Sequence, residues 1–383
     1  MIYILYFALA YLIITSIVLI RNLFEFKSLV SIDSKNSSSE ALVSICIPAR
    51  NEEEVIEKCI TSVLKQDYPS FEVLVLDDNS TDQTSSIISG IASFVSNLTH
   101  IRGNPKPDDW LGKPWACHQL SEAANGDILI FIDADVWLEK EAVSKAVHAL
   151  QEKDVVTVWP QQRLGSFWEN MIVPLVYFTL YTLLPAIYVE QNPKWMPSFM
   201  AERLNKKFAA ACGQFIAFHK RSYQEIGGHE VVKKEVVEDV ELARLIKRKE
   251  LSLQMFDGID TVYCKMYSSH KEIWNGFKKN FLAGFGNFFE FFFMWAIHTV
   301  VFIVPWITLC YAILSGANSI LILSSIVIAS QYLQRTILNY KYGWSFITGF
   351  LHPLSVLWFH ALAVVLIVDK LSGRKAIWKG REV

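Results

Sequence analysis

The chain has no excess of basic charge: 36 Lys and Arg stand against 38 Asp and Glu in 383 residues, a formal net charge of −2. Nothing in that balance draws the protein to nucleic acid. Cysteine is sparse. Cys46, Cys59, Cys117, Cys212, Cys264 and Cys310 are scattered with no pair at zinc-ligand spacing, so neither a disulfide framework nor a structural metal site is expected, and a reducing, cytosolic compartment suits the α/β part of the chain. No internal repeat is present. The 17 Gly and 12 Pro do not gather into low-complexity tracts.

What is present in abundance is apolar side chain, 52% of residues with a mean hydropathy of +0.27, more than a soluble domain carries. Residues 2–20 form an uncharged run long enough to cross a hydrocarbon core of about 30 Å. The expectation is an N-terminal membrane helix over 1–21. A cleaved signal peptide is the alternative, but no basic segment precedes the run and no small-x-small site follows it. Arg21 and Lys27 come directly after, so the positive-inside rule places the following chain in the cytoplasm of a multi-pass protein of the cell (inner) membrane. A linker is expected over 22–41, with the Ser-rich stretch Ser34 to Ser39 inside it. Apolar runs return at Phe288 to Leu314, Ile320 to Leu333 and Trp344 to Val368, giving C-terminal transmembrane or re-entrant helices over 286–370 and a basic cytoplasmic tail over 371–383. Three spans would put that tail outside, whereas Lys370, Arg374, Lys375, Lys379 and Arg381 want it inside. A re-entrant hairpin breaking at His352-Pro353 reconciles the two. The segment 167–189, interrupted by Glu169, Asn170, Pro174 and Pro185, reads as interfacial.

Between the apolar ends, over 42–285, strands alternate with helices. Leu42 to Pro48, Phe71 to Leu76, Ile128 to Ile132, Val155 to Trp159, Phe208 to Phe218 and Leu253 to Phe256 read as strands. A helix after the first carries apolar residues at Val55, Ile56, Cys59, Ile60, Val63 and Leu64, and Asp239 to Lys249 reads as another. Asn51 with Glu54, and Ser80 with Gln83, are positioned as capping pairs. The pattern predicts an α/β domain with a mostly parallel, Rossmann-like sheet that collects ligands beyond the carboxyl ends of its strands. Asp78 and Asp133 sit at such ends. Asp133-Ala134-Asp135 offers two carboxylates that a turn lets converge on a hard cation, although a plain capped turn has the same sequence.

The ordered set Pro48-Ala49-Arg50-Asn51-Glu52, Asp77-Asp78-Asn79-Ser80-Thr81-Asp82, Asp133-Ala134-Asp135 and Glu238-Asp239 resembles the family 2 glycosyltransferases of GT-A fold. The resemblance covers about residues 42–280. It implies an inverting transfer from a nucleoside-diphosphate sugar, with a divalent metal (Mn or Mg) as cofactor. Carried over, Pro48, Ala49 and Glu52 line the nucleoside pocket, Asp78 accepts from the base, and Lys113 lies near the donor diphosphate. Asp135 binds metal directly, Asp133 touches the ribose or a metal-bound water, and Asp239 is the base. Lys113-Pro114-Trp115-Ala116-Cys117, Cys212-Gly213-Gln214, Gly227-Gly228-His229 and Trp378-Lys379-Gly380-Arg381 are similar to a membrane-bound bacterial subgroup containing carotenoid-acid and hopanoid-associated glycosyltransferases. That implies a lipid-like acceptor, with Trp378 and Arg381 as further donor contacts. Two other readings stay open, a processive polysaccharide synthase and a non-catalytic nucleotide-binding membrane protein. No Arg-Trp pair occurs anywhere in the chain, which disfavours the first.

Overall fold

The computed structural model describes residues 1–33, 41–191, 196–197, 200, 205–282, 284, 288–374, 377–379 and 381–382. The chain forms two compact units, one from 26–163 and 186–266, the other from 1–25, 164–185 and 267–383. The expected segment 167–189 is therefore divided, most of it grouping with the helices near the two ends. Its apolar run is cut into Phe167–Ile172, Pro174–Leu183 and Ile187–Glu190, because Pro174 opens a new helix and Pro185 cannot continue one.

The α/β unit is built on eight strands: β1 (Val43–Ala49), β2 (Phe71–Asp77), β3 (Leu98–Arg102), β4 (Ile128–Ile132), β5 (Val136–Leu138), β6 (Val155–Gln162), β7 (Phe215–His219) and β8 (Leu253–Cys264). Their order is β3-β2-β1-β4-β7-β6-β8-β5. Pairings β1/β2, β1/β4, β2/β3 and β6/β8 are parallel, whereas β4/β7, β6/β7 and β5/β8 are antiparallel. This is the expected mostly parallel sheet, with an antiparallel step introduced by β7. All five residues of β4 are buried, as a central strand covered on both faces requires. Helices Ile56–Leu64 and Ala142–Leu150 bury their apolar faces in the same core as β1 and β4.

Several boundaries differ from expectation. The stretch expected as a strand from Phe208 is a short 3₁₀ turn, Asn205–Phe208, followed by irregular chain up to β7. Thr157 holds that irregular chain in place: its hydroxyl bonds the Cys212 and Phe215 carbonyls and accepts from the Cys212 amide. β8 is far longer than expected because it pairs with β6 along one edge and with β5 along the other. The first part of the expected linker is structured. The N-terminal helix runs to Glu25, Phe26 and Leu29 are buried, and the Lys27 carbonyl accepts from the Asp257 amide. Ser34 to Ser39 lie outside the described residues.

In the helical unit, four stretches among the described residues are long and apolar enough to cross a membrane: Ile2–Glu25, Phe288–Ser315, Asn318–Tyr342 and His352–Leu371. The second contains a π-helical turn, Thr299–Ile303, just before Pro305, where the missing proline donor interrupts the regular ladder. The run beginning at Trp344 does break near His352: a short helix, Phe346–Gly349, precedes His352–Leu371, which carries Pro353 in its first turn. Polar side chains join these helices. Gln334 Nε2 reaches the Leu12 carbonyl and the hydroxyls of Thr15 and Ser16, Gln331 the Val301 carbonyl, and Thr308 the Ser324 hydroxyl. Such bonds hold helices together where a hydrophobic driving force between them is lacking.

Candidate active site

The carboxyl ends of β1, β2 and β4 carry the residues singled out in sequence. After β1, Asn51 adopts a left-handed backbone (φ 52°), as does Asn79 after β2 (φ 55°). These two turns lock onto each other. The Asn51 side chain accepts from the Thr81 amide at 2.8 Å, the Asn51 amide donates to Ser80 Oγ, and the Glu52 amide donates to Thr84 Oγ1. Arg50 Nη1 bonds the carbonyls of both Asp78 and Asn79. The expected capping pairs are thus corrected: the helices starting at Ile56 and Thr84 have no side-chain cap at their N-cap residues, because the polar groups of each turn bond the other turn. Asp78 is buried against this pair, its amide donating to the Ala49 carbonyl. Pro48 and Glu52 are partly exposed and Ala49 is buried.

Asp133 follows β4 directly. Because β4 and β7 run antiparallel with Ile132 opposite Phe215, the Asp133 amide meets the Gln214 carbonyl at 3.3 Å. The turn closes with the Val136 amide on the Asp133 carbonyl, and the Lys265 amide bonds the Asp135 carbonyl. Gln214 is a buried bridge, accepting from Gln162 Nε2 and donating to the Cys264 sulfur. All six cysteines are free and only Cys310 is exposed. Burial first, and the adjacent carboxylates second, push the Cys59 and Cys264 thiols well above their usual range, so they are inert as nucleophiles.

Lys113, in the first turn of the helix Gly112–Ala123, lies 2.7 Å from Asp133 Oδ1 and 3.0 Å from Glu238 Oε1. Burial works against its charge, yet those two carboxylates outweigh it and hold the ammonium well above the ordinary lysine value. Asp239, in the first turn of the helix Glu238–Arg248, accepts from the Gly213 amide at 2.8 Å and from the Val240 amide at 2.8 Å. Those bonds and Lys113 favour its ionised form. Burial, with the Glu238 charge behind it, overrides them and raises its pKa to about 6. A crevice lined by Pro48, Lys113, Asp133, Gly213, Glu238 and Asp239, with His229 and Cys117 also in its wall, joins these groups.

Sequence reasoning missed Gly213 and Glu238 as members of the site. A side chain at Gly213 would come within 3.2 Å of both Asp239 Oδ2 and Lys113 Nζ. Only the Cys212-Gly213-Gln214 motif signalled it. His229 is buried, shares a 2.8 Å hydrogen bond between Nδ1 and the Tyr223 hydroxyl, and has its pKa pushed down to about 3 by burial. It is therefore a neutral part of the crevice wall. Trp378 and Arg381 belong to the helical unit, where they lie opposite each other in a two-stranded ladder, Ile377–Trp378 with Arg381–Glu382.

Asp133 and Asp135 supply hard oxygen donors of the kind Mg²⁺ or Mn²⁺ takes, but no third His, Cys, Asp or Glu among the described residues joins a metal-ligating group. The donor set thus fits a cation that completes its shell with phosphate oxygens and water, and does not fit a closed protein cage.

Known proteins are similar to this chain in sequence and in fold. The profile described as Glycosyl transferase family 2 matches residues 44–227. A 4,4'-diaponeurosporenoate glycosyltransferase of Staphylococcus haemolyticus is 28% identical over 75% of this chain and 72% of its own length. The Staphylococcus aureus protein of the same name is 26% identical over 66% of this chain and 64% of its own, so the chain spans just under two thirds of that relative. Among solved structures, a mannosyltransferase from Pyrobaculum calidifontis in complex with GDP-Man and Mn²⁺ aligns over 96% of this chain and 98% of its own, with a TM-score of 0.53 at 16% identity. Residues 44–227 of this chain match family 2 glycosyltransferases, the α/β unit has the GT-A fold, and the protein is a glycosyltransferase.

Proposed function

We propose that this enzyme transfers a sugar, with inversion, from a nucleoside-diphosphate sugar (a UDP-sugar) to a membrane-embedded lipid or terpenoid acceptor on the cytoplasmic face. The observation that carries the reading is the meeting of Lys113, Asp133, Glu238 and Asp239 in one crevice at the carboxyl edge of the sheet. Pro48, which lines the crevice, and Ala49, Glu52 and Asp78 at the interlocked turns after β1 and β2 would take the nucleoside. Asp133 and Asp135 would hold Mn²⁺ or Mg²⁺, and the bound cation supplies Lewis-acid stabilisation of the departing diphosphate.

Asp239 takes the acceptor proton on its carboxylate. A pKa of about 6 leaves it ionised at neutral pH yet basic enough to share a proton in the transition state. The Gly213 amide and the first turn of its helix fix its orientation. Lys113 adds positive charge beside the diphosphate as the Asp133 pairing loosens, and Glu238 holds the ammonium in place. The acceptor class rests on four apolar helices in the same chain and on relatives named for diaponeurosporenoate.

The test is to incubate detergent-purified protein with radiolabelled UDP-sugars, Mn²⁺ and membrane lipid extract. Label in a discrete lipid species is the expected result. Label in a high-mass polymer would identify a processive synthase, and neither transfer nor hydrolysis with any donor would leave only a nucleotide-binding protein.

A further inference from the structure

The helical unit holds a charged group that its own fold does not neutralise. Arg335 lies on the apolar helix Asn318–Tyr342, about two turns before its C-terminal end, and is 0% exposed. Its Nη2 donates to the Asn170 carbonyl at 3.2 Å, while Nε and Nη1 are buried without a hydrogen-bond partner among the described residues. No carboxylate pairs with it among those residues.

His352 opens the helix after the chain break, also 0% exposed, with both ring nitrogens unpartnered among the described residues and with the Arg335 charge acting on it. Asn339, one turn beyond Arg335, uses its Nδ2 on the Ser345 carbonyl and leaves Oδ1 unbonded. Gly349 in the short helix lets the chain close on this cluster: a side chain there would come 3.2 Å from Asn339 Nδ2 and 3.7 Å from Arg335 Cγ. The rings of Phe178 and Phe302 flank His352, with centroids 4.7 and 5.1 Å away.

The inventory is one-sided. A guanidinium has donors only, and a neutral imidazole always carries one N–H, so the cluster offers several donors and one fixed positive charge against two weak acceptors. A buried charge in a membrane segment is retained where something answers it. A planar fork beside an imidazole flanked by aromatic rings suits a two-oxygen anion on an apolar body. We infer that Arg335, His352 and Asn339 form a binding site for the phosphate or carboxylate head of a membrane amphiphile, seated where the chain breaks before His352. This site lies wholly within the helical unit and does not depend on the sugar-transfer reading.

The experiment uses the full chain in nanodiscs of phosphatidylcholine, doped in separate arms with phosphatidylglycerol or with oleate, and reads the melting temperature. An anionic arm should raise it by about 3–6 °C, as a ligand that binds only the folded state does. Arg335→Met should melt at or above the wild type in pure phosphatidylcholine, because an unanswered charge is gone, and should lose the anionic increment. The arm with the larger Arg335-dependent increment identifies the head as phosphate or carboxylate. Equal melting of the wild type in all three discs, or an increment fully kept in Arg335→Met, would overturn the site. Should Arg335→Met fail to assemble, native mass spectrometry of the wild type after exchange into zwitterionic detergent decides: retained anionic lipid, reduced about tenfold in His352→Gln, is expected, and its complete absence would refute the proposal.

Discussion

The Gly213 amide donates to Asp239 Oδ2 at 2.8 Å, joining the irregular chain before β7 to the first turn of a helix that begins 25 residues later. That bond aims the carboxylate while burial and Glu238 raise its pKa. The two effects oppose each other. Aim comes from a group that stabilises the charged form, basicity from an environment that disfavours it.

The pH profile of kcat/KM should therefore rise through an apparent pKa near 6. Asp239→Asn should lower turnover by about 10²–10⁴-fold, the usual contribution of a positioned base, with donor binding kept. Steady-state rates between pH 5 and 8 check both. A stability effect accompanies this with a definite sign. The folded pKa lies above the unfolded one, so the folded state binds the extra proton and Asp239 makes the fold less stable as pH rises from about 4 to about 6. Asp239→Asn should remove that slope.

His229 has the opposite linkage. Its folded pKa of about 3 is below the unfolded value of about 6.5, so the stability it carries is full above that value and is lost as pH falls toward 3. His229→Phe should flatten the acid limb of the melting profile. It should also cost about 1–3 kcal/mol by removing the hydrogen bond between Nδ1 and the buried Tyr223 hydroxyl.

Lys113→Met should reduce kcat/KM by about 10²–10³-fold, the cost of losing one charge-stabilising donor. Lys113→Arg should not restore it, because the Lys113 ammonium bridges Asp133 and Glu238 as one compact charge, a geometry that a planar guanidinium fork does not reproduce. Single-turnover assays separate this from a loss of donor affinity.

Asp135→Asn should weaken Mn²⁺ binding in the presence of a nucleoside diphosphate more than Asp133→Asn does, since Asp133 is already paired with Lys113. Isothermal titration compares the two. A chelator should abolish transfer, and added Mn²⁺ should restore it.

Asn51→Ala and Asn51→Gly both remove the bond to the Thr81 amide, but only alanine strains the left-handed backbone at φ 52°. Alanine should be worse by about 1–2 kcal/mol, and both should raise the KM for donor. Thermal melts and donor titrations measure the difference.

Sequence alone located β4 to the residue, the four acidic motifs in order, and the break before His352. Each is a local signal: a continuous apolar strand, a short motif, a proline inside an apolar run. It did not show that Asn51 and Ser80, 29 residues apart, would bond across their two turns, or that Gly213 would stand against Lys113 and Asp239. The first contact arises from the parallel register of β1 and β2, which sets Ala49 opposite Asp77, and the second from the antiparallel insertion of β7 beside β4; strand order depends on how whole faces pack, which no local period encodes. The same holds for Arg335. The sequence places a cation in an apolar helix; only the packing of the helical unit determined that its guanidinium is fully enclosed, beside His352 and away from any carboxylate among the described residues.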